Sequence, residues 1–257
     1  MCISLLKEIL KVIYPPRCCF CGELLSPFKD EPVSVLPWAE AKLLQEVICN
    51  RCVHELPWLQ GCCSGCGSTL LMEDNRPSGV IAEEVCSFCS SPGISFSRCS
   101  ALAAYEGSMR RVLHRLKYNS ESFLAEPLGR LLGWKILHMP WSSSLSAVVP
   151  VPLTNERFAS RGYNQSFLIA HAAALELNLP LQEILHRGGR AQSQTSLNRL
   201  QRKANVKDVF YCSGKLPQET HVLLIDDVLT SGATVHEASS ALIKEGAAQV
   251  SAAVIAR

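Results

Sequence analysis

Between Val222 and Val235 the chain reads VLLIDDVLTSGATV, an order of residues that few folds accommodate. Val222, Leu223, Leu224 and Ile225 form a short, unbroken apolar run, the pattern of a parallel strand covered on both faces. Asp226 and Asp227 then fall at the strand's carboxyl end, where open α/β sheets bind their ligands. From Thr230 to Thr234 the chain turns into a helix that continues from Ala233. The first amides of such a helix lack intrahelical partners and can receive a phosphate. Gly232 lets the backbone come close to it. Thr230, Ser231 and Thr234 add hydroxyls, and the two carboxylates can hold ribose hydroxyls directly or through a bridging Mg2+ ion.

From end to end this segment resembles the phosphoribosyl-pyrophosphate (PRPP) signature of type I phosphoribosyltransferases. The competing reading is a buried strand with an acidic end, as in P-loop NTPases and receiver domains. The single Gly-Lys pair, Gly214-Lys215, is followed by Leu216, so the P-loop pattern is missing. A dinucleotide G-x-G-x-x-G is missing as well.

Cysteine and charge divide the chain at one place. Of 13 cysteines among 257 residues, 11 precede residue 95, leaving only Cys99 and Cys212 beyond it. Residues 1–95 carry 7 basic and 11 acidic side chains, against 18 and 12 in residues 96–257. The expectation is a small N-terminal domain, 1–95, and a basic second domain, 96–257, suited to a polyanionic ligand. The opening MCISLLKEILKVIY is interrupted by Lys7, Glu8 and Lys11, which excludes a signal core or a bilayer span. A packed amphipathic helix and a cytoplasmic protein are expected.

Four CxxC knuckles lie in the first domain: Cys18/Cys21, Cys49/Cys52, Cys63/Cys66 and Cys86/Cys89. A two-residue spacer lets both sulfurs of a knuckle converge on one tetrahedral Zn2+, so two four-thiolate sites follow, one from each pair of knuckles. Disulfides are the alternative, disfavoured by the missing export signal. Cys18-Cys19 and Cys62-Cys63 each offer an adjacent spare thiol, the knuckles can also pair crosswise, and His54 is a further candidate ligand. Both sites read as structural, and binding energy there is folding energy.

In the second domain a strand is expected from Cys99, a helix from Met109 to Tyr118, and another from about Phe123 to Leu137. Arg110, Arg111, Arg115 and Lys117 on the first of these helices read as a solvated face, with nucleic-acid contact as the alternative. A strand over Ala147 to Val151 leads through Pro152 and Leu153 into a basic loop and a helix beginning near Asn164. Phe167, Leu168, Ala170, His171, Ala174 and Leu175 are expected to face inward or along that helix. Arg157 and Arg161, four apart past a strand end, are placed to clamp a pyrophosphate. Between His186 and Lys207 stand Arg187, Arg190, Arg199, Arg202, Lys203 and Lys207 with no acidic residue, a loop fit to cover an anion or contact DNA phosphates. A last strand, Gln249 to Ala256, completes a βαβ unit with the acidic strand.

The segments LKYNSESFLAEPLGRLL at 116–132, VVPVPLTNERFASRGYNQS at 148–166, QTSLNRLQRKANV at 194–206 and LLIDDVLTSGATV, together with the knuckles, resemble the ComF family over nearly the whole chain. The resemblance implies an α/β fold: a type I phosphoribosyltransferase-like parallel sheet flanked by helices, preceded by a small double zinc-ribbon domain. It implies a role in natural transformation, where incoming single-stranded DNA reaches the cytoplasm. A working transferase would displace pyrophosphate from C1 of PRPP with Mg2+ assisting. Asp226 and Asp227 would hold the ribose, residues 230–234 (Thr230, Ser231, Gly232, Ala233, Thr234) its 5′-phosphate, and Val151, Pro152 and Leu153 with Arg157 and Arg161 the pyrophosphate. Single-stranded DNA is the second expected ligand. A helicase or recombination mediator docked on the zinc ribbons is the third expected partner. Where relatives usually carry threonine, three residues before Gln194, this chain has Ala191.

Overall fold

In the computed structural model, which describes residues 15–25, 44, 47–59, 63, 95–188 and 209–257, strand β5 (His221–Val228) carries the acidic pair. The other strands of its sheet are β1 (Arg98–Ala103), β2 (Ala147–Pro150) and β6 (Gln249–Ala256). The sheet order is β1-β6-β5-β2, and each pairing in it is parallel. A parallel strand inside such a sheet needs apolar side chains on both faces. Accordingly Leu223 and Ile225 enter one core cluster, while Val222 and Leu224 enter the other.

The helices are α1 (Asn50–Glu55), α2 (Gly107–Tyr118), α3 (Ala125–Leu137), α4 (Asn155–Arg161), α5 (Gln165–Leu177) and α6 (Ala233–Lys244). Helix α6 connects β5 to β6, the expected βαβ unit. Helices α3 and α5 pack at close range because the facing residues are small. A Cβ at Gly129 would stand 2.4 Å from the Ile169 carbonyl oxygen and 2.7 Å from Ala172 Cβ. Beside that contact Arg130 Nε pairs with Glu176 Oε1 at 2.8 Å, and Trp134 Nε1 donates to Glu176 Oε2 at 2.7 Å.

Two expectations for α5 are corrected. Leu175 is 70% exposed, and His171 is exposed. The buried set is Gln165, Ser166, Ile169, Ala170, Ala172, Ala173, Ala174 and Leu177, of which Ala170 and Ala174 were expected. Small residues allow the approach to α3, so the inward face is set by alanine rather than by the larger apolar side chains. The basic loop after β2 also holds a helix, α4. Thr154 caps it, its hydroxyl accepting from the Arg157 amide, and Gly162 ends it with φ +78°.

The N-terminal segment is bound into the sheet. Trp58 bridges Ala103 in antiparallel fashion, the Leu59 amide donates to the Leu102 carbonyl, and the Ala104 amide donates to the Pro57 carbonyl. These bonds cover the open edge of β1. Lys135 of α3, 3% exposed, donates to the carbonyls of Leu59 (2.7 Å) and Ala101 (2.6 Å) and fastens both segments. Cys18, Phe20, Ile48 and Val53 share one apolar core with Leu113, Leu116 and Leu128.

A second, antiparallel pair, β3 (Leu185–Arg187) with β4 (Phe210–Cys212), was not foreseen. The Gly188 amide donates to the Val209 carbonyl at 3.0 Å, so this pair forms the neck of the basic segment. Arg187 lies on that neck with its guanidinium over the Phe210 ring, 5.2 Å from the centroid. Arg190, Arg199, Arg202, Lys203, Lys207 and Ala191 lie outside the described residues, as do residues 1–14 and Cys66, Cys86 and Cys89. Among the described residues no helix is long and apolar enough to cross a membrane.

Candidate functional site

The strand ladder runs further than the apolar run implies, because β6 remains paired beside it: Asp226 pairs with Val254 and Val228 with Ala256. Both carboxylates therefore lie within β5, near its carboxyl end. Asp226 Oδ1 accepts from Ser166 Oγ at 2.8 Å and from the Asp227 amide at 2.9 Å. Burial, and then the adjacent Asp227 charge, push the Asp226 carboxyl up to about 7. Asp227 is 5% exposed, and its Oδ2 lies 2.8 Å from Lys117 Nζ at the end of α2. The two carboxylates thus have different surroundings: a hydroxyl and an amide for one, an ammonium for the other.

The turn that follows has the form expected of it. Thr230 and Ser231 are exposed, Gly232 adopts φ +78°, and α6 starts at Ala233, whose amide donates to Ser231 Oγ at 3.4 Å. Thr234 is on the same first turn. A φ of that sign is one glycine adopts without strain, and the first amides of the helix it opens have no intrahelical partner.

Across the same edge, the Val151 amide extends the β2 ladder by bonding the Ile225 carbonyl at 2.9 Å, with Pro152 and Leu153 following, partly buried. Arg157 and Arg161 share one face of α4, four residues apart. Arg157 is exposed, whereas Arg161 Nη1 donates to Gln165 Oε1 at 2.8 Å and the guanidinium lies 5.2 Å from the Tyr118 ring centroid.

Four residues that hold this edge together were not singled out as site residues. Asn164 Oδ1 accepts from the Ser166 amide at the start of α5, and its Nδ2 donates to the Val151 carbonyl at 3.1 Å. Tyr163 Oη donates to the Leu116 carbonyl. Ser166 and Lys117 hold the two carboxylates. The signal was present in the strings RGYNQS and LKY, but the partners of Tyr163 and Ser166 lie 47 and 60 residues away in sequence, that of Lys117 lies farther still, and they emerge only on folding.

The first cysteine site forms as one cluster. The ligand atoms of Cys18, Cys21, Cys49 and Cys52 lie within 4.8 Å of one another, with Cys21 Sγ and Cys49 Sγ 3.5 Å apart. Tetrahedral Zn–S bonds of about 2.3 Å place neighbouring sulfurs about 3.8 Å apart, so the donor set fits zinc. Gly22, φ +77°, closes the first knuckle by donating to the Cys18 carbonyl at 2.8 Å. The second knuckle sits at the start of α1. Burial pushes the Cys49 thiol up to about 11 and raises Cys52 as well, while hydrogen bonds from its neighbours lower Cys21; a bound cation would favour the thiolate form of all four. Cys19 points into the apolar core, and His54 is exposed, its Nδ1 against the Asn50 carbonyl oxygen. Of the second expected set only Cys63 is described, and it is fully buried.

A parallel sheet flanked by helices, an acidic pair at the end of an inner strand and a glycine turn opening a helix define a phosphoribosyltransferase-type domain. The phosphoribosyl transferase domain family matches residues 164–257. The chain is 32% identical over 170 residues to the "DNA utilization protein YhgH" of Escherichia coli K12, covering 64% of this chain and 74% of that protein. It is 26% identical over 216 residues to "Competence protein F" of Haemophilus influenzae, covering 81% and 88%. It is 29% identical over 204 residues to "Competence protein ComFC" of Streptococcus pneumoniae, covering 73% and 84%. The chain belongs to the ComF family.

Proposed function

We propose that this protein acts in DNA uptake during natural transformation, binding a ribose phosphate, PRPP or a close relative, together with Mg2+ at the carboxyl edge of its sheet. The observation that carries the reading is the Asp226-Asp227 pair at the end of β5 followed by the Thr230–Thr234 turn into α6. Asp226 and Asp227 would hold the ribose hydroxyls or the ion, the turn amides the 5′-phosphate, and Val151–Leu153 with Arg157 and Arg161 the pyrophosphate end. The names of the curated relatives supply the DNA role. The arginines of the 187–203 segment, Arg187, Arg190, Arg199 and Arg202 with Lys203, would meet single-stranded DNA. Cys63, Cys66, Cys86 and Cys89 would form a second zinc site in an N-terminal module ending near residue 95, a docking surface for a helicase or recombination mediator.

PRPP-dependent transfer to an acceptor is the second reading, favoured by the intact acidic pair. In a naturally transformable host lacking its own copy, the wild-type chain should restore transformation and an Asp226→Asn/Asp227→Asn variant of equal abundance should not. Equal restoration by both would remove the acidic site from the function.

A further inference from the structure

Helix α2 begins beside the ends of β1 and β6, where the Tyr105 amide donates to the Arg257 carbonyl at 2.7 Å. It ends beside β5 and the segment after β2, where Leu116 accepts from Tyr163 and Lys117 meets Asp227. Its 12 residues span about 18 Å, slightly more than the roughly 14 Å across four strands. The helix therefore crosses the carboxyl edge of the sheet, with Met109, Val112, Leu113 and Leu116 buried beneath it.

The outward face of α2 alternates cations and rings, and the series continues onto α4. Arg110 and Arg111 precede His114 by four and three residues, neighbours on one helical face. The His114 ring lies 4.7 Å from the Tyr118 ring, and Arg161 of α4 lies 5.2 Å from the same Tyr118 ring. Phe158 and Arg157 stand three and four residues before Arg161 on α4. Tyr118 is 64% exposed and Phe158 53%, although both are large aromatic groups. The acidic residues on these two helices or at their caps are Glu106 and Glu156. Nearby Glu121 is held by Arg115 at 2.5 Å.

Resting on the DNA-uptake reading, we propose that this continuous face, Phe158–Arg161–Tyr118–His114–Arg110/Arg111, is a stacking platform for single-stranded nucleic acid. Unpaired bases lie on Tyr118 and Phe158, and phosphates lie against the arginines between and beyond them. Exposed rings interleaved with guanidinium groups match a ligand that alternates π-faces and negative charges. The platform runs across the edge that holds the acidic pair, so a strand bound there passes over the ribose-phosphate site. The 187–203 segment has arginines but no aromatic residue, and would act on phosphates alone.

The test compares a labelled oligothymidylate with an abasic oligonucleotide of the same length, binding to zinc-loaded full-length protein. The variants are Tyr118→Ala/Phe158→Ala and, separately, Arg199→Ala/Arg202→Ala/Lys203→Ala. Wild type should prefer the base-bearing strand, and the ring variant should lose about tenfold or more in affinity for it and lose the preference. The loop variant should keep the preference while its affinity falls less steeply with salt. Melting temperature and zinc content of the ring variant verify its fold. A ring variant that binds oligothymidylate as wild type does would overturn the platform and leave the DNA reading in place. Failure of wild type to bind any strand would overturn both. Equal competition by polyglutamate would assign the face to an acidic protein segment and overturn the platform.

Discussion

Replacing Asp226 by Asn should stabilise the protein, by an amount that grows with pH. Asn keeps an oxygen for Ser166 Oγ and the Asp227 amide, the two donors that Asp226 Oδ1 satisfies, and it cannot ionise. In the unfolded chain an aspartate titrates near 3.9; in the folded protein burial and the Asp227 charge move Asp226 to about 7. Between those values the native state holds a proton that the unfolded state has lost, so stability falls as pH rises from about 4 to 7 and levels off above 7. A displacement of that size corresponds to about 4 kcal/mol, and partial solvent access at the sheet edge reduces it to roughly 2 kcal/mol. Thermal melts from pH 5 to pH 8.5 without Mg2+ should show the variant gaining on wild type by about 1–3 kcal/mol across that range. In a chain of this size each kcal/mol shifts the melting temperature by about 2–4 °C. Zinc-site protonation is common to both proteins and cancels in the difference. A gap that stays constant with pH, or a variant less stable than wild type at pH 8, would refute the burial of an ionisable Asp226.

Lys117→Met should cost about 3 kcal/mol in urea denaturation, because it leaves Asp227 buried without its ammonium partner; adding Asp227→Asn should recover most of that loss. Gly129→Ala should destabilise by about 1–3 kcal/mol despite the better helix propensity of alanine, since its methyl would drive α3 away from α5; unchanged stability would contradict the close approach. Cys52→Ser should lower the measured zinc content and reduce the melting temperature, whereas Cys19→Ser should leave the zinc content as it is.

The acidic strand and its turn were legible because a buried parallel strand, two carboxylates and a glycine-opened helix each leave a local signature. The four strands of the parallel sheet and the longer helices of the second domain were legible for the same reason, whereas the β3–β4 pair was not, and the first two knuckles were legible as well. What sequence pattern could not supply is the second partner of each contact. Nothing near Ser166 in the chain points to Asp226, nor anything near Lys117 to Asp227. The tie of Lys135 to Leu59 and Ala101 joins segments brought together only by the fold. The choice of Cys18 over Cys19 was likewise a matter of which thiol faces the cluster and which the core. The inward face of α5 was read correctly at Ala170 and Ala174 but not at His171 and Leu175, and Ala172 and Ala173 were missed, because the contact with Gly129 and Gly133 requires small residues. Helix α4 was read as a loop because its seven residues carry no apolar periodicity, and in the structure all of them but the partly buried Arg161 are exposed.

The central claim is that the acidic pair and the turn after it form a ribose-phosphate site. Calorimetric titration of PRPP with Mg2+ into zinc-loaded protein, beside the Asp226→Asn/Asp227→Asn variant shown to be folded by its melting curve, tests it directly. Saturable one-to-one binding by wild type, lost or weakened at least tenfold in the variant, is the predicted result. No binding by wild type, or equal binding by both proteins, would contradict it.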